Sequence, residues 1–305
     1  MKVLLTGAAG QLGHALRQQV PGVIELIGTS RSGGEGLLAL DLADAAACRA
    51  AVLGHRPAWV LNAGAYTAVD KAESEPELAL AVNGGAPRAF AEALLETGGR
   101  LLQVSTDFVF NGQQGSPYLP EQSRDPLGAY GRTKAAGEAA VEQLLGVAAG
   151  DEGSAQGVIL RTSWVMGPVG KNFALTMLRL HREREQIGVV ADQVGCPTST
   201  ATLAAACWRV IAAMDTSSGL PSVLHWSDAG AASWYDVAVA VGELGVELGL
   251  LERAAVVNPI ATADYPTPAE RPSYSLLDCT SSRQALDLPP THWRQALRQL
   301  LEAAR

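Results

Sequence analysis

Residues 2–13 read Lys2-Val3-Leu4-Leu5-Thr6-Gly7-Ala8-Ala9-Gly10-Gln11-Leu12-Gly13. A short apolar run passes through three glycines at TGxxGxxG spacing into an amphipathic stretch, the pattern of a strand, a tight turn and a helix that binds a dinucleotide. Each glycine has its own task in such a turn. Gly7 permits the sharp bend, Gly10 lets backbone approach a pyrophosphate, and Gly13 lets the helix pack closely on the strand. The helix start then offers N–H groups and a partial positive charge to the phosphates. The competing reading is an ordinary glycine-rich connection. The strand before, the helix after and the position at the N-terminus favour the nucleotide site.

Outward from this turn, short β-rich runs alternate with longer Ala- and Leu-rich segments. Strands are predicted over 2–6, 23–28, 59–62, 101–105 and 158–162, and helices over 11–19, 43–53, 75–96 and 129–145. This alternation predicts an α/β protein: a Rossmann-type, doubly wound parallel sheet with a smaller C-terminal substrate-binding lobe. The division is placed at 1–163 and 164–305, with parts of the second half free to interleave with the first. The segment 146–157 reads as an acidic Gly-, Ala- and Ser-rich surface connection. Beyond Trp164 the pattern is less regular, with helices over 173–185 and 201–214, a polar loop over 192–200 and a Pro-rich stretch over 265–272. Asn83-Gly84-Gly85 falls inside the helix predicted over 75–96, at a cost of about 1 kcal/mol per glycine relative to alanine, and predicts a break or kink.

Composition narrows the class. The 305 residues are 48% hydrophobic and 18% charged, no run is long and apolar enough to span a membrane, and the apolar start is too short for a signal peptide. A soluble protein is expected, with no membrane partner. Cys48, Cys196, Cys207 and Cys279 form no CxxC pair and fit reduced thiols of a cytoplasmic protein; Cys196 is read as a packing residue. A formal net charge of -8 excludes a general polyanion surface, so no nucleic-acid partner is expected. No carboxylate cluster calls for a metal, and a homodimer is left open.

The second strand ends in Gly28-Thr29-Ser30-Arg31, without the acidic residue that an NAD-specific site uses for the ribose. Arg31 suits a 2'-phosphate, which favours NADPH and leaves NADH open; a solvated loop arginine is the alternative. Asp41-Leu42 is placed to face the adenine, and Asn62-Ala63-Gly64-Ala65-Tyr66 brings small residues to the end of the third strand. Tyr130 and Lys134, one turn apart in AYGRTKAAGE, suit an acid–base pair in which a nearby ammonium is expected to lower the tyrosine pKa toward the working range; alone, the spacing equally fits a solvated helix face, and the pair needs a partner. Ser105-Thr106-Asp107 ends the fourth strand, where a hydroxyl can bond a substrate carbonyl oxygen.

TGAAGQLG, DLAD, AGAYTAVDKAE, VSTDFVFNG, YGRTKAAGE, LRTSWV, NFALTML, VVADQVGCPTS and RPSYSLLD together resemble successive blocks of the dTDP-4-dehydrorhamnose reductases, extended short-chain dehydrogenase/reductases. The likeness runs from Met1 to about residue 300. It implies that Gly10, Gln11 and Leu12 contact the pyrophosphate, Asp41 and Leu42 the adenosine, and Ala65, Tyr66 and Thr67 the nicotinamide side. It further implies that Thr106 and Asp107 contact the sugar and Trp164 packs on it. Tyr130 would protonate the C4 oxygen, and Lys134 would hold the nicotinamide ribose. The segment 192–200 and Arg271 are candidates for the wall around a nucleotide-sugar, Arg271 for its diphosphate, with packing between lobes as the alternative. Two other readings stay open: a related sugar-nucleotide reductase or epimerase, and a non-catalytic NADP-binding regulatory subunit of the methionine adenosyltransferase type.

Overall fold

A computed structural model describes residues 1–148, 155–215 and 219–304; residues 149–154 of the expected 146–157 connection lie outside the described residues. In chain order the elements are β1 (Lys2–Thr6), α1 (Gln11–Gln18), β2 (Glu25–Ser30), β3 (Leu38–Ala39), α2 (Ala45–His55), β4 (Trp59–Asn62), α3 (Val69–Ala72) and α4 (Pro76–Leu80). A π-helical turn (Ala81–Gly85) joins α4 to α5 (Ala86–Thr97), followed by β5 (Arg100–Thr106), a 3-10 turn (Asp107–Val109), α6 (Ala129–Leu145) and β6 (Gly157–Thr162). The second half holds β7 (Val165–Met166), α7 (Phe173–Glu183), β8 (Gln186–Val190), β9 (Val194–Gly195), β10 (Thr198–Ser199), α8 (Thr200–Asp215) and β11 (Val223–Trp226). It closes with β12 (Ala232–Ser233), α9 (Trp234–Glu247), β13 (Val256–Ile260), α10 (Thr280–Leu286) and α11 (Trp293–Ala303).

Seven strands pair in the order β11-β6-β5-β4-β1-β2-β3, every pairing parallel. Because side chains alternate across a strand, Val3 and Leu5 join Leu12, Leu16, Leu203, Cys207 and Ile211 on one face. Leu4 joins Val52, Phe90, Leu94 and Val141 on the other. Both faces are thus covered by helices, which explains the near-continuous apolar reading of each strand.

The chain does not leave the sheet at residue 163. β11 extends it beyond β6, and α8 packs beside α1, so α8 and β11 lie with the nucleotide-binding layers. A separate core forms from α7, α9, α11 and β8, with Leu178, Ile187, Val241 and Leu297 among its buried residues. The stretch expected as one polar loop over 192–200 instead carries β9 and β10, paired with β12 and β7.

The helix expected over 75–96 is interrupted at Asn83-Gly84-Gly85, where the backbone widens into the π turn and stays helical. The reason lies in the neighbouring helix. α6 crosses so closely that a Cβ on Gly137 would come within 2.2 Å of the Asn83 carbonyl oxygen. Gly137→Ala is therefore expected to destabilise the fold by about 2 kcal/mol through overpacking. A thermal unfolding midpoint equal to that of the parent would contradict this account of the crossing.

Candidate active site

The strand order reverses between β1 and β4: the chain runs through β2 and β3 on one side, then through β5 and β6 on the other. In an open α/β sheet the crevice outside the carboxyl ends of such a pair is where ligands bind, and the residues singled out in the sequence gather there. Gly7 has φ 65°, and a Cβ on it would sit 2.7 Å from Gly64 Cα at the end of β4. A Cβ on Gly13 would meet the Gly7 carbonyl oxygen at 2.2 Å. Packing alone thus demands two of the three glycines. Gly10 meets only the Gly7 oxygen, at 3.2 Å, so its small size serves the open side of the turn. No side chain caps α1, which leaves its first N–H groups for a phosphate. This cradle fits a dinucleotide pyrophosphate.

Gln11 and Leu12 open α1, with their side chains engaged away from the turn. Leu12 is buried in the core. The Gln11 side chain reaches across to the second lobe, its Oε1 accepting from Gly167 N (2.9 Å) and Asn172 Nδ2 (2.8 Å). Arg31 pairs with Asp41 (Nε to Oδ2, 3.2 Å) at an exposed site; such a surface pair contributes about 1 kcal/mol at most, so the guanidinium turns readily to another anion. Leu42 lies against Gly64, where a Cβ would come 2.5 Å from its Cδ1.

A buried polar chain links β1, β4 and β5. Thr6 Oγ1 donates to Asn62 Oδ1 (2.6 Å), Asn62 Nδ2 to Gln103 Oε1 (2.7 Å), and Gln103 Nε2 to the Val104 carbonyl (2.8 Å). The same carbonyl accepts from Lys134 Nζ at 2.7 Å. Lys134 is thereby fixed to the end of β5, beside Thr106 and Asp107. The Thr106 hydroxyl donates to Asp107 Oδ1 (3.0 Å) and accepts from Phe108 N (3.2 Å).

Tyr130 stands edge-on to Phe108, with ring centroids 5.6 Å apart. Burial pushes its phenol up to about 12, with the Thr106 hydroxyl opposing and the Asp107 carboxylate adding to the rise. The expected lowering by Lys134 does not prevail. Burial draws the Lys134 ammonium down to about 8 against the upward pull of Glu138, one turn along. Burial also raises the Asp107 carboxyl to about 6. The resting site therefore holds a protonated phenol, the state a proton donor needs.

Two candidates have protein partners. Trp164 takes a left-handed backbone (φ 45°), uncommon for a bulky residue, and stacks on Trp234 at 3.6 Å with planes 7° apart. One face of its indole is thus covered. Arg271 Nη2 pairs with Asp70 Oδ2 at 2.8 Å, and its Nη1 donates to the Ala269 carbonyl (3.0 Å) and the Thr267 hydroxyl. That ties the 267–271 loop to α3. Cys196 is fully buried, with its thiol donating to the Asp228 carbonyl, in keeping with packing. Among the described residues, no group of three or more His, Cys, Asp or Glu is placed to hold a metal.

Sequence reasoning passed over Asn83. It is 2% exposed, and its amide is fully used: Oδ1 accepts from Tyr66 N (2.9 Å), and Nδ2 donates to Tyr66 O (3.1 Å) and Thr133 Oγ1 (3.1 Å). One side chain thus holds the Ala65-Tyr66-Thr67 loop against α6. The Tyr66 hydroxyl, meanwhile, donates to Glu75 (2.5 Å). The available signal was an asparagine held at a poor helix position beside two glycines. Asn83→Ala would leave the Tyr66 backbone groups without partners, and NADPH affinity is expected to fall about tenfold. Fluorescence titration of NADPH measures this, and unchanged affinity in a folded variant would refute the loop-clamp role.

Comparison with known proteins gives the same reading. The sequence matches the family described as RmlD substrate binding domain over residues 1–305. It is 40% identical over 301 residues to the dTDP-4-dehydrorhamnose reductase of Streptomyces griseus, covering 98% of this chain and 93% of that one. The fold is similar to the crystal structure of a dTDP-4-dehydrorhamnose reductase from Clostridium acetobutylicum (TM-score 0.87, 33% identity, 99% of each chain). It is also similar to the Bacillus anthracis dTDP-4-dehydrorhamnose reductase in complex with NADP (TM-score 0.84, 30% identity, 99% of this chain and 98% of that one). With its glycine cradle, Tyr130 and Lys134 at one sheet edge and a match along its whole length, the chain belongs to the RmlD substrate binding domain family, that of the dTDP-4-dehydrorhamnose reductases.

Proposed function

We propose that this protein is an NADPH-dependent oxidoreductase that reduces the C4 keto group of dTDP-4-dehydro-L-rhamnose to dTDP-L-rhamnose, the last step of dTDP-rhamnose synthesis in the cytoplasm. The observation that carries this reading is the gathering of Thr106, a protonated Tyr130 and Lys134 at the end of β5, next to the glycine cradle. NADPH, when bound, supplies the hydride. Tyr130 gives its phenolic proton to the C4 oxygen, and the Thr106 hydroxyl bonds the same oxygen as negative charge develops on it.

Lys134 spends one N–H on the Val104 carbonyl and has two left, for the nicotinamide ribose and the Tyr130 oxygen. Its ammonium stabilises the phenolate that Tyr130 becomes, which offsets the high resting pKa at the moment of transfer. Gly7, Gly10 and Gly13, with the backbone of Gln11 and Leu12, hold the pyrophosphate. Asp41 and Leu42 flank the adenosine, Arg31 meets the 2'-phosphate, and Ala65, Tyr66 and Thr67 line the nicotinamide side. Asp107 and Trp164 contact the sugar. Arg271 exchanges Asp70 for the substrate diphosphate. An intact Thr106, Tyr130 and Lys134 set favours a catalyst over a regulatory subunit, and NADPH consumption separates a reductase from an epimerase.

Tyr130→Phe keeps the ring and removes the proton, so turnover is expected to fall by about two to four orders of magnitude. Absorbance at 340 nm with dTDP-4-dehydro-L-rhamnose follows the loss, and chromatography identifies dTDP-L-rhamnose in the parent reaction. No turnover by a folded, NADPH-binding parent would sink the substrate assignment. The pH dependence follows from Lys134. With its pKa drawn down to about 8, the charged form disappears as pH rises through that value, and kcat/KM for NADPH is expected to fall there while Tyr130 stays protonated. A pH profile flat to about pH 10 would contradict this.

A further inference from the structure

α6 carries both Tyr130 and Lys134, yet it does not cap itself. Its N-cap residue, Gly128, has extended backbone and no side chain to offer. The cap comes from Glu73, 56 residues earlier, whose Oε1 accepts from Ala129 N at 2.6 Å. Ala129 is the first residue of the helix and directly precedes Tyr130. The second carboxylate oxygen lies 3.8 Å from Arg132 Nη2, and the Glu73 side chain is only 28% exposed. A Cβ at position 128 would stand 2.8 Å from Oε1, so the absent side chain leaves the space that the carboxylate fills.

We propose that Glu73 is a positioning residue for the reduction: a cap supplied from a distance that sets the first turn of α6, and with it the place of the Tyr130 phenol. The role rests on Tyr130 as proton donor. A carboxylate at this end of a helix also meets the positive end of the macrodipole. Glu73 directly follows α3, whose Asp70 accepts from Ala269 N and pairs with Arg271. One short segment thus fixes both the proton donor and the second-lobe loop that faces it.

The test compares Glu73→Ala, Glu73→Gln and the double variant Glu73→Ala/Gly128→Ser in the full-length protein. Steady-state kinetics on dTDP-4-dehydro-L-rhamnose and hydrogen exchange of residues 128–134 are the readouts. Glu73→Ala is expected to lower kcat about fivefold, the size of a lost cap. KM for NADPH should stay within about twofold and exchange should quicken only at the start of α6. Glu73→Gln keeps an acceptor oxygen and should remain within about twofold of the parent. In the double variant a serine hydroxyl caps the helix locally and should restore most of kcat and of the slow exchange.

Parent-like kcat and exchange in Glu73→Ala would overturn the proposal. So would a uniform loss of protection across the fold, a glutamine variant as impaired as the alanine one, or no recovery in the double variant. A parent that binds NADPH but leaves this sugar unreduced would count against the substrate reading alone, and the exchange pattern with its rescue would then decide the role of Glu73.

Discussion

Buried polar groups must find partners, and at the centre of this sheet they find one another. Thr6 and Asn62, the last residues of β1 and β4, and Gln103, in the middle of β5, are each 2% exposed or less and close a single hydrogen-bonded row that ends on the carbonyl held by Lys134. An unpaired member would cost about 1–3 kcal/mol, so the row works as an alignment device. It couples the glycine turn, through Thr6 Oγ1 and Gly64 N (3.0 Å), to the helix bearing the proton donor. The two ends of the crevice are thereby held in one geometry before any ligand arrives, and such preorganisation is where catalysis draws much of its strength.

Beneath α6 lies a second polar construction. Glu138 is fully buried and bonded to Arg161 (2.8 Å) and Arg124 (3.1 Å). Against the pull of burial, these two guanidinium groups hold its carboxyl below the usual range. His225, beside Arg161 and drawn down to about 3 by burial and that positive charge, is neutral at physiological pH. A buried ion pair of this kind is weak evidence of net stability. Its consequence here is directional: Glu138 is one turn from Lys134 and keeps negative potential under the ammonium, partly offsetting the desolvation that draws its pKa down.

Much of this was legible in the chain. The β1 and β4 boundaries and those of α6 follow from apolar runs and their punctuation, and the glycine turn is a local pattern with a local cause. Tyr130 and Lys134 were readable because helical spacing alone puts them on one face. What escaped depended on contacts distant in sequence. Asn83 looks like a defect in a helix until Tyr66 and Thr133 are brought to it. Arg271 reads as a diphosphate or lobe-packing candidate, and its partner Asp70 on α3 appears only in the fold. The Tyr130 pKa was misjudged in direction, because spacing shows which charges are near but not how much water is excluded. The lobe boundary blurred for a similar reason: β11 and α8 are ordinary elements whose destination only the fold reveals.

That late return of β11 has a consequence for how the molecule is made. β6, all six residues of it buried, emerges from the ribosome well before its outer neighbour, since residues 163–222 intervene. Until then the nascent sheet ends in a bare apolar edge, a template for pairing with another chain. A fragment stopped at the apparent lobe boundary would keep β6 as an unpaired edge strand and would lack α8 over one face of the sheet.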